Sequence, residues 1–238
     1  AIGYYALKTC TTVDFLTAVG YGALYANTTG TENTALGYAA LFTNTTGANN
    51  TAVGLNALDH NTTGDNNTAV GRNALDANTT GGQNIAVGQG AMASNTTGTD
   101  NIAVGHNAMG SATNTGSGRN NAFGYEALQD ITTGTQNQAI GFQAGANLTT
   151  GGYNNIMGAE AMENSTTAAN CVAIGHDALR QNNANEITGV GYQTLASNTT
   201  GIENTAFGAR TLDANTTGQH NTAVGHNALT SNTTAQYN

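Results

Sequence analysis

The chain has 238 residues, only 8% of them charged, with 32 glycines, no proline and no tryptophan. A globular domain of this size carries about 25% charge, and disordered chains are rich in charge and proline, so neither class fits. The net charge of −9 rests on only five Lys and Arg, too few to line a phosphate backbone, and nucleic acid is excluded as a partner.

Read from the first residue, the chain is a tandem array. The glycine closing each AVG-type triplet falls at Gly3, Gly20, Gly37, Gly54, Gly71, Gly88, Gly105, Gly124, Gly141, Gly158, Gly175, Gly191, Gly208 and Gly225. The step is seventeen, with two residues extra before Gly124 and one missing before Gly191. The consensus is N-T-A-V-G-x-x-A-L-x-x-N-T-T-G-x-x. Seventeen residues are too few for a pair of helices but suit a thin β-coil. The spacing predicts one tandem-repeat domain over 1–238, an all-β parallel β-solenoid (β-roll) of about fourteen 17-residue coils. Stacked at the strand spacing they would span on the order of 65 Å.

Within each coil, two extended segments are expected, one on TAVG and one on AL running into NTT. The glycine after NTT (Gly30, Gly47, Gly64, Gly98, Gly134, Gly201, Gly218) reads as a left-handed turn residue. The AVG-type glycine reads as a bend or a point of close backbone approach. Asn33, Asn50, Asn67, Asn84, Asn101, Asn120, Asn137 and Asn154 form an amide ladder, interrupted by Cys171 and Ile187 beside the deletion, where the register should be disturbed. Alternation along a strand suggests the bulky residues Val19, Leu36, Val53, Val70, Val87, Val104, Phe123, Ile140 and Ile174 inside. Leu24, Leu41, Leu58, Leu75, Met92, Met109 and Leu128 should meet them. That leaves Ala35, Ala52, Ala69, Ala86 and Ala103, with Ala40, Ala57, Ala74 and Ala91, facing outward, a small-residue face suited to three rods packed about one axis. A homotrimer is the expected assembly.

With NTAVGxNAL and the following NTTG, the repeat resembles the YadA-like head repeats of trimeric autotransporter adhesins, and also tail-fibre-type repeats of bacterial and phage proteins. The likeness runs from Ala1 to Asn238, although the period is seventeen and not the family's fourteen. It implies a left-handed coil, three chains and a role in surface attachment. The chain begins and ends inside repeats, so it reads as a fragment of a longer fibrous protein. Its expected place is extracellular, at a cell surface or on a virion. No apolar run approaches the ~18 residues of a membrane span, so no membrane insertion is expected in this segment.

Chemistry is sparse. The position after the AVG-type glycine varies most and forms the candidate binding column: Tyr21, Tyr38, Arg72, His106, Tyr125, Phe142, His176, Tyr192 and His226, with Leu55 in the same column. Asn56, Asn73, Glu126, Gln143 and Arg210 stand next to it, and the irregular stretch 110–119 is a second candidate. Asp59–His60, Asp76 and Asp213 recur at one coil position without a catalytic constellation. The turn Gly81–Gly82–Gln83 lacks the aspartates of a calcium roll, Asp65 and Asp100 stand isolated, and Gly189-Val190-Gly191 lacks a phosphate-loop context. No catalytic residue, metal or cofactor is expected. NTT spells the glycosylation tripeptide at Asn27, Asn44, Asn61, Asn78, Asn95, Asn198, Asn215 and Asn232, while repetition for turn and ladder reasons accounts for the same letters. Cys10 and Cys171 lie more than nine coils apart, beyond disulfide reach. The expected function is a non-enzymatic shaft or head segment of a trimeric adhesin or phage fibre, engaging a host-surface glycan or protein receptor through many weak contacts. The alternatives are a structural filament subunit and, less favoured, an ice-binding solenoid with the first and third residues of NTT sharing a face.

Overall fold

The computed structural model describes residues 1–10, 13–113 and 118–238. It is a parallel β-solenoid with a seventeen-residue repeat. Thirteen of the fourteen glycine-marked coils carry a three-residue strand, from β1 (Thr17–Val19) to β13 (Thr222–Val224). In the first coil Ile2 makes a single bridge to Val19. Two compact units are formed, Ala1–Arg119 and Asn120–Asn238. The first holds β1, β2 (Thr34–Leu36), β3 (Thr51–Val53), β4 (Thr68–Val70), β5 (Ile85–Val87) and β6 (Ile102–Val104). The second holds β7 (Asn121–Phe123), β8 (Gln138–Ile140), β9 (Asn155–Met157), β10 (Val172–Ile174), β11 (Thr188–Val190), β12 (Thr205–Phe207) and β13. Inside each unit every strand pairs in parallel with the next, matching residue on matching residue: Ala52 with Ala69, Val53 with Val70.

The orientation of the strand is the reverse of that expected. The alanine of each triplet points inward, and Ala35, Ala52, Ala69, Ala86 and Ala103 are fully buried. Ala40, Ala57, Ala74 and Ala91 are buried as well. Leu36 is 47% exposed and Phe207 54%, while Phe123, Ile140 and Ile174 are also exposed and Val19, Val53, Val70, Val87 and Val104 are half-buried. The coil is too narrow for two bulky ladders. The Leu24, Leu41, Leu58, Leu75, Met92, Met109 and Leu128 ladder, buried as expected, fills the interior, and only a methyl fits opposite. The outward alanine face from which a trimer followed does not exist.

Natural size exchanges show how tight this interior is. Where the strand carries Ile156 in place of alanine, the leucine ladder carries Gly145, and a Cβ there would lie 2.9 Å from Ile156 Cδ1. Where the strand carries Gly189, the neighbouring alanine column holds Thr194, whose Cγ2 lies 3.0 Å from the place of a Cβ on that glycine. Such pairs keep the summed volume near that of the consensus, as close-packed interiors require.

The second segment is not a strand. Left-handed residues alternate with right-handed ones, as at Asn56 (φ 54) and Leu58 (φ 53), carrying the chain round in tight turns. A leucine in this region costs about 1–2 kcal/mol of backbone strain, which full burial of its side chain, worth ~1.5–3 kcal/mol, offsets. Within each unit neighbouring coils are hydrogen-bonded here too, Leu58 N donating to Ala74 O at 3.0 Å and Asn56 N to Tyr38 O at 2.9 Å.

The glycines divide differently from expectation. The AVG-type glycine has φ near 137° at Gly54, and a Cβ there would sit 2.5 Å from Gly71 O, so close approach and conformation both demand glycine. The glycine after NTT is not left-handed. At Gly47 a Cβ would fall 2.5 Å from both Asn44 Oδ1 and Gly64 O, so only its size matters. The left-handed residue comes two positions later, at Asn49, Asn66 and Gln83.

Two asparagine ladders make the buried polar half of the coil. Asn61 Nδ2 donates to Asn44 Oδ1 at 2.9 Å and to Gly64 O at 3.0 Å, and Asn78 Nδ2 donates to Asn61 Oδ1 at 2.8 Å. The ladder ahead of TAV works mainly through backbone: Asn50 N donates to Asn33 Oδ1 at 2.9 Å, and Asn50 Nδ2 to Gly64 O at 2.8 Å. The one-residue deletion leaves the sheet register intact, with Ala173 opposite Gly189. The shortening is absorbed in the turn, where Asn182 Nδ2 reaches Ala184 O, two residues on, at 2.8 Å. Elsewhere the same bond spans three residues.

Candidate attachment surface

All nine residues of the candidate column are exposed: Tyr21, Tyr38, Arg72, His106, Tyr125, Phe142, His176, Tyr192 and His226. They follow the bend at the AVG-type glycine, which turns the chain out of the strand and points the next side chain to solvent. Coil stacking places successive members face to face. Tyr21 and Tyr38 stack at 5.1 Å between ring centroids with 9° between planes, and Tyr125 and Phe142 at 5.3 Å and 11°. Asn56, Asn73, Glu126 and Gln143 are half-buried beside the column, Gln143 Nε2 donating to Glu126 Oε2 at 2.7 Å. Arg210 lies 5.8 Å from the centre of the Tyr192 ring. Of the second candidate, 110–119, residues 114–117 lie outside the described residues.

A second aromatic column, four residues further along each coil, escaped the sequence reading. Tyr25 and Phe42 stack at 4.7 Å and 11°. The signal was present in the letters, since the two are seventeen apart. Between the columns the chain carries Gly22 and Ala39 where the next two coils carry Asn56 and Asn73. A groove opens there, lined by Tyr21, Tyr38, Ala39, Phe42, Asn56 and Asp59.

At the end of this groove Asp59, His60 and Asp76 come together, one ligand-type atom from each within 4.8 Å of the others. His60 Nδ1 lies 3.1 Å from the Asp76 carbonyl oxygen and 3.3 Å from Asp76 Oδ1. A carbonyl only accepts, so Nδ1 carries the proton. Burial pushes the Asp59 carboxyl above its ordinary range, with the Asp76 charge adding to the rise and His60 opposing it. Burial works to lower His60, but the Asp76 carbonyl and the two carboxylates outweigh it and hold the imidazole above its usual value. In the preceding coil Thr43 Oγ1 donates to the Asp59 carbonyl at 2.6 Å. His60 thus occupies a structural hydrogen-bonding position in the turn.

In the second unit Arg180 is the centre of the charge. Its Nη2 lies 2.7 Å from Glu163 and 3.3 Å from Glu160, and its Nη1 3.6 Å from Asp177. Asp213 is half-buried at the Asp59 coil position.

The NTT asparagines are interior. Asn27, Asn44, Asn61, Asn78, Asn95, Asn198 and Asn215 are fully buried, with amides in the ladder, and Asn232, in the last coil, is half-buried. A glycan on Nδ2 cannot share that space, so the folded coil offers no acceptor at the seven buried positions. The same inward turn removes the two-rank face of the ice-binding reading: the first residue of NTT is inside, and only the third, as at Thr46 and Thr63, is exposed. Cys10 and Cys171 carry free thiols. Cys171 takes a rung of the ladder, its N–H donating to Asn154 Oδ1 at 3.0 Å, and burial pushes its thiol up to about 11.

No family model, curated protein or solved structure matches this chain.

Proposed function

We propose that this chain is a non-enzymatic attachment segment of a fibrous, extracellular surface protein, of the adhesin or tail-fibre kind, working through many weak contacts. The observation that carries the reading is the exposed column after the AVG-type glycine. In ten of the fourteen coils it presents a solvent-facing aromatic, imidazole or guanidinium side chain, the others carrying Leu55, Gln89, Ala159 and Ala209, on a backbone hydrogen-bonded from coil to coil within each unit. Contacts held at fixed spacing engage together, and linked weak contacts exceed any single one by orders of magnitude. The function requires no catalysis, cofactor or metal.

The assembly proposed is a homotrimer, and its support comes from the outer sheet face. Leu36 on β2 in the first unit, and Phe123, Ile140, Met157 and Ile174 on the successive strands β7 to β10 with Phe207 on β12 in the second, are exposed apolar side chains. Contiguous apolar surface of this kind marks interaction sites. Light scattering should give three times the chain mass, and replacing Ile140, Met157 and Ile174 by Thr should return the protein to a monomer with an unchanged far-ultraviolet spectrum. The trimer should be retained on a receptor-bearing surface much longer than the monomeric variant. Equal retention of the two forms would refute the multivalent mechanism.

A further inference from the structure

The groove in the first unit is built unlike the rest of the repeat. The column after the AVG-type glycine runs Tyr4, Tyr21, Tyr38 and then Leu55; the column four residues on runs Lys8, Tyr25, Phe42 and then Asp59. Both aromatic stacks therefore end at the same coil, leaving the faces of Tyr38 and Phe42 without a ring on the following rung. The floor is Ala39, a small residue at a position where the next two coils carry Asn56 and Asn73. Gly22, one coil back, lies under the Phe42 ring, whose Cδ2 and Cε2 are 2.8 Å from the place of a Cβ there, so the glycine lets the ring lie flat as a wall. Asn56 and Asp59 close one end, and Tyr21 stands at the other. The lining spans three rungs, about 10 Å at the strand spacing.

We infer that this groove binds one neutral hexopyranose unit of a glycan. The walls are aromatic, which suits the C–H face of a sugar ring, and Tyr38 is 55% exposed. The polar groups at one end, an amide and a carboxylate, suit hydroxyls, the amide donating and accepting and the carboxylate accepting from two of them. The Lys8 ammonium is engaged away from Asn56 and Asp59, with Nζ 3.3 Å from the Tyr25 hydroxyl and 4.2 Å from the centre of the Tyr5 ring. A carboxylate at the mouth and a net charge of −9 select against anionic sugars. The second unit supplies a built-in contrast. Its Tyr125–Phe142 stack has Gln129 and Ala146 where the first unit has Tyr25 and Phe42, so no second wall faces it. The biological sense of the assignment rests on the attachment reading above; its chemistry rests on the groove.

The test uses Ala39. Its φ is 54°, and the equivalent positions in the next two coils hold Asn56 at 54° and Asn73 at 55°, so asparagine fits the backbone there. Ala39→Asn should fill the groove while melting like the parent, whereas Ala39→Gly, which copies Gly22, should leave it open. The full chain is titrated with methyl β-galactopyranoside and methyl β-glucopyranoside, followed by saturation-transfer and chemical-shift NMR. The parent and Ala39→Gly should bind at least one of them with a dissociation constant on the order of 1 mM, the range for a small ligand in an open site. Shifts should be confined to Tyr21, Tyr38, Phe42, Asn56 and Asp59, and Ala39→Asn should bind at least tenfold more weakly. Binding unchanged in Ala39→Asn, shifts centred on Tyr125 and Phe142, or no binding of either glycoside by the parent would overturn the assignment. Retention of the trimer on receptor-bearing surfaces is measured in parallel. If Ala39→Asn binds sugar as the parent does while the trimer is still retained, the groove assignment fails and the attachment reading stands. If sugar binding follows Ala39 while no form is retained, the groove stands and the attachment reading falls.

Discussion

Ile156 and Gly145 define an exchange that can be transplanted. In the first unit the equivalent positions are Ala52 and Leu41, both fully buried. Leu41→Gly removes four carbons, about 3 kcal/mol at ~0.8 kcal/mol each, and the cavity term brings the cost to roughly 3–5 kcal/mol. Part of this returns because Leu41 sits at φ 51, where glycine is free of strain. Ala52→Ile adds three carbons to a filled interior, an overpacking cost of about 1–3 kcal/mol. In the double variant the isoleucine enters the space the leucine vacates, as Ile156 does beside Gly145, and the loss should fall to about 1–3 kcal/mol, below the sum of the single losses. The coupling in the double-mutant cycle should then reach at least about 2 kcal/mol, within the range for residues in contact. Urea unfolding followed by far-ultraviolet circular dichroism gives the four midpoints and slopes. Additivity within 0.5 kcal/mol, or an Ala52→Ile variant as stable as the parent, would show that the alanine does not face the leucine and that the inward assignment is wrong.

Five further outcomes are expected. Asn61→Ala deletes two donated bonds and one accepted bond and leaves Asn44 Oδ1 without that donor, costing roughly 3–5 kcal/mol at ~1 kcal/mol per bond plus the penalty of a buried acceptor. Thr63→Ala, on the exposed rank, should change the urea midpoint by less than the equivalent of ~0.5 kcal/mol. Around His60 the pH dependence has a fixed sign. Its raised folded value means that its contribution is complete below the unfolded value of about 6.5 and is lost as pH rises through the folded one. His60→Thr, which keeps a hydroxyl for the Asp76 carbonyl, should therefore lower the melting temperature at pH 5 and leave it unchanged at pH 8.5. The raised Asp59 carboxyl has the same sign at its own, lower range, so Asp59→Asn should melt higher than the parent at pH 7 and converge with it near pH 3. Finally, the Cys171 thiol, held at about 11 by burial, should resist a thiol reagent at pH 8 in the native protein and react at the ordinary rate in urea.

The period carried most of the fold. Seventeen-residue spacing of one glycine is enough to place Ala52 on Ala69 and Val53 on Val70, because parallel stacking of equal coils leaves no other register. What the letters could not convey was which face of a three-residue strand is inside. Alternation allows two answers, and the larger residue is the natural choice for a core. Here the opposing turn already fills the interior with leucine, and space, not hydrophobicity, decides. The Ile156–Gly145 exchange held the clue, since the only bulky residue in the alanine column coincides with the only glycine in the leucine column. The second segment was misread for a different reason. Alternating left-handed residues include leucines at φ near 50°, a conformation that residue rarely adopts, so no propensity scale announces it. The NTT glycines were assigned to conformation when packing was the cause, and both causes select the same residue. The exposed column was legible from its variability alone, whereas the groove beside it required noticing that Ala39 is small where the next two coils carry Asn56 and Asn73.

The bonds that run from coil to coil also govern how the chain can be cut. A protease needs several consecutive residues drawn out into its cleft. In the coil over residues 41–56 no such stretch is free: Thr45, Thr46 and Leu41 donate forward to Thr62 and Ala57, while Gly54 and Asn56 donate back to Leu36 and Tyr38. Peeling out one loop breaks its bonds to the coils on both sides at once, so digestion must wait for a whole coil to come loose. A body fastened in this way endures in degradative surroundings with few charges, no disulfide among its described residues and no proline to protect it.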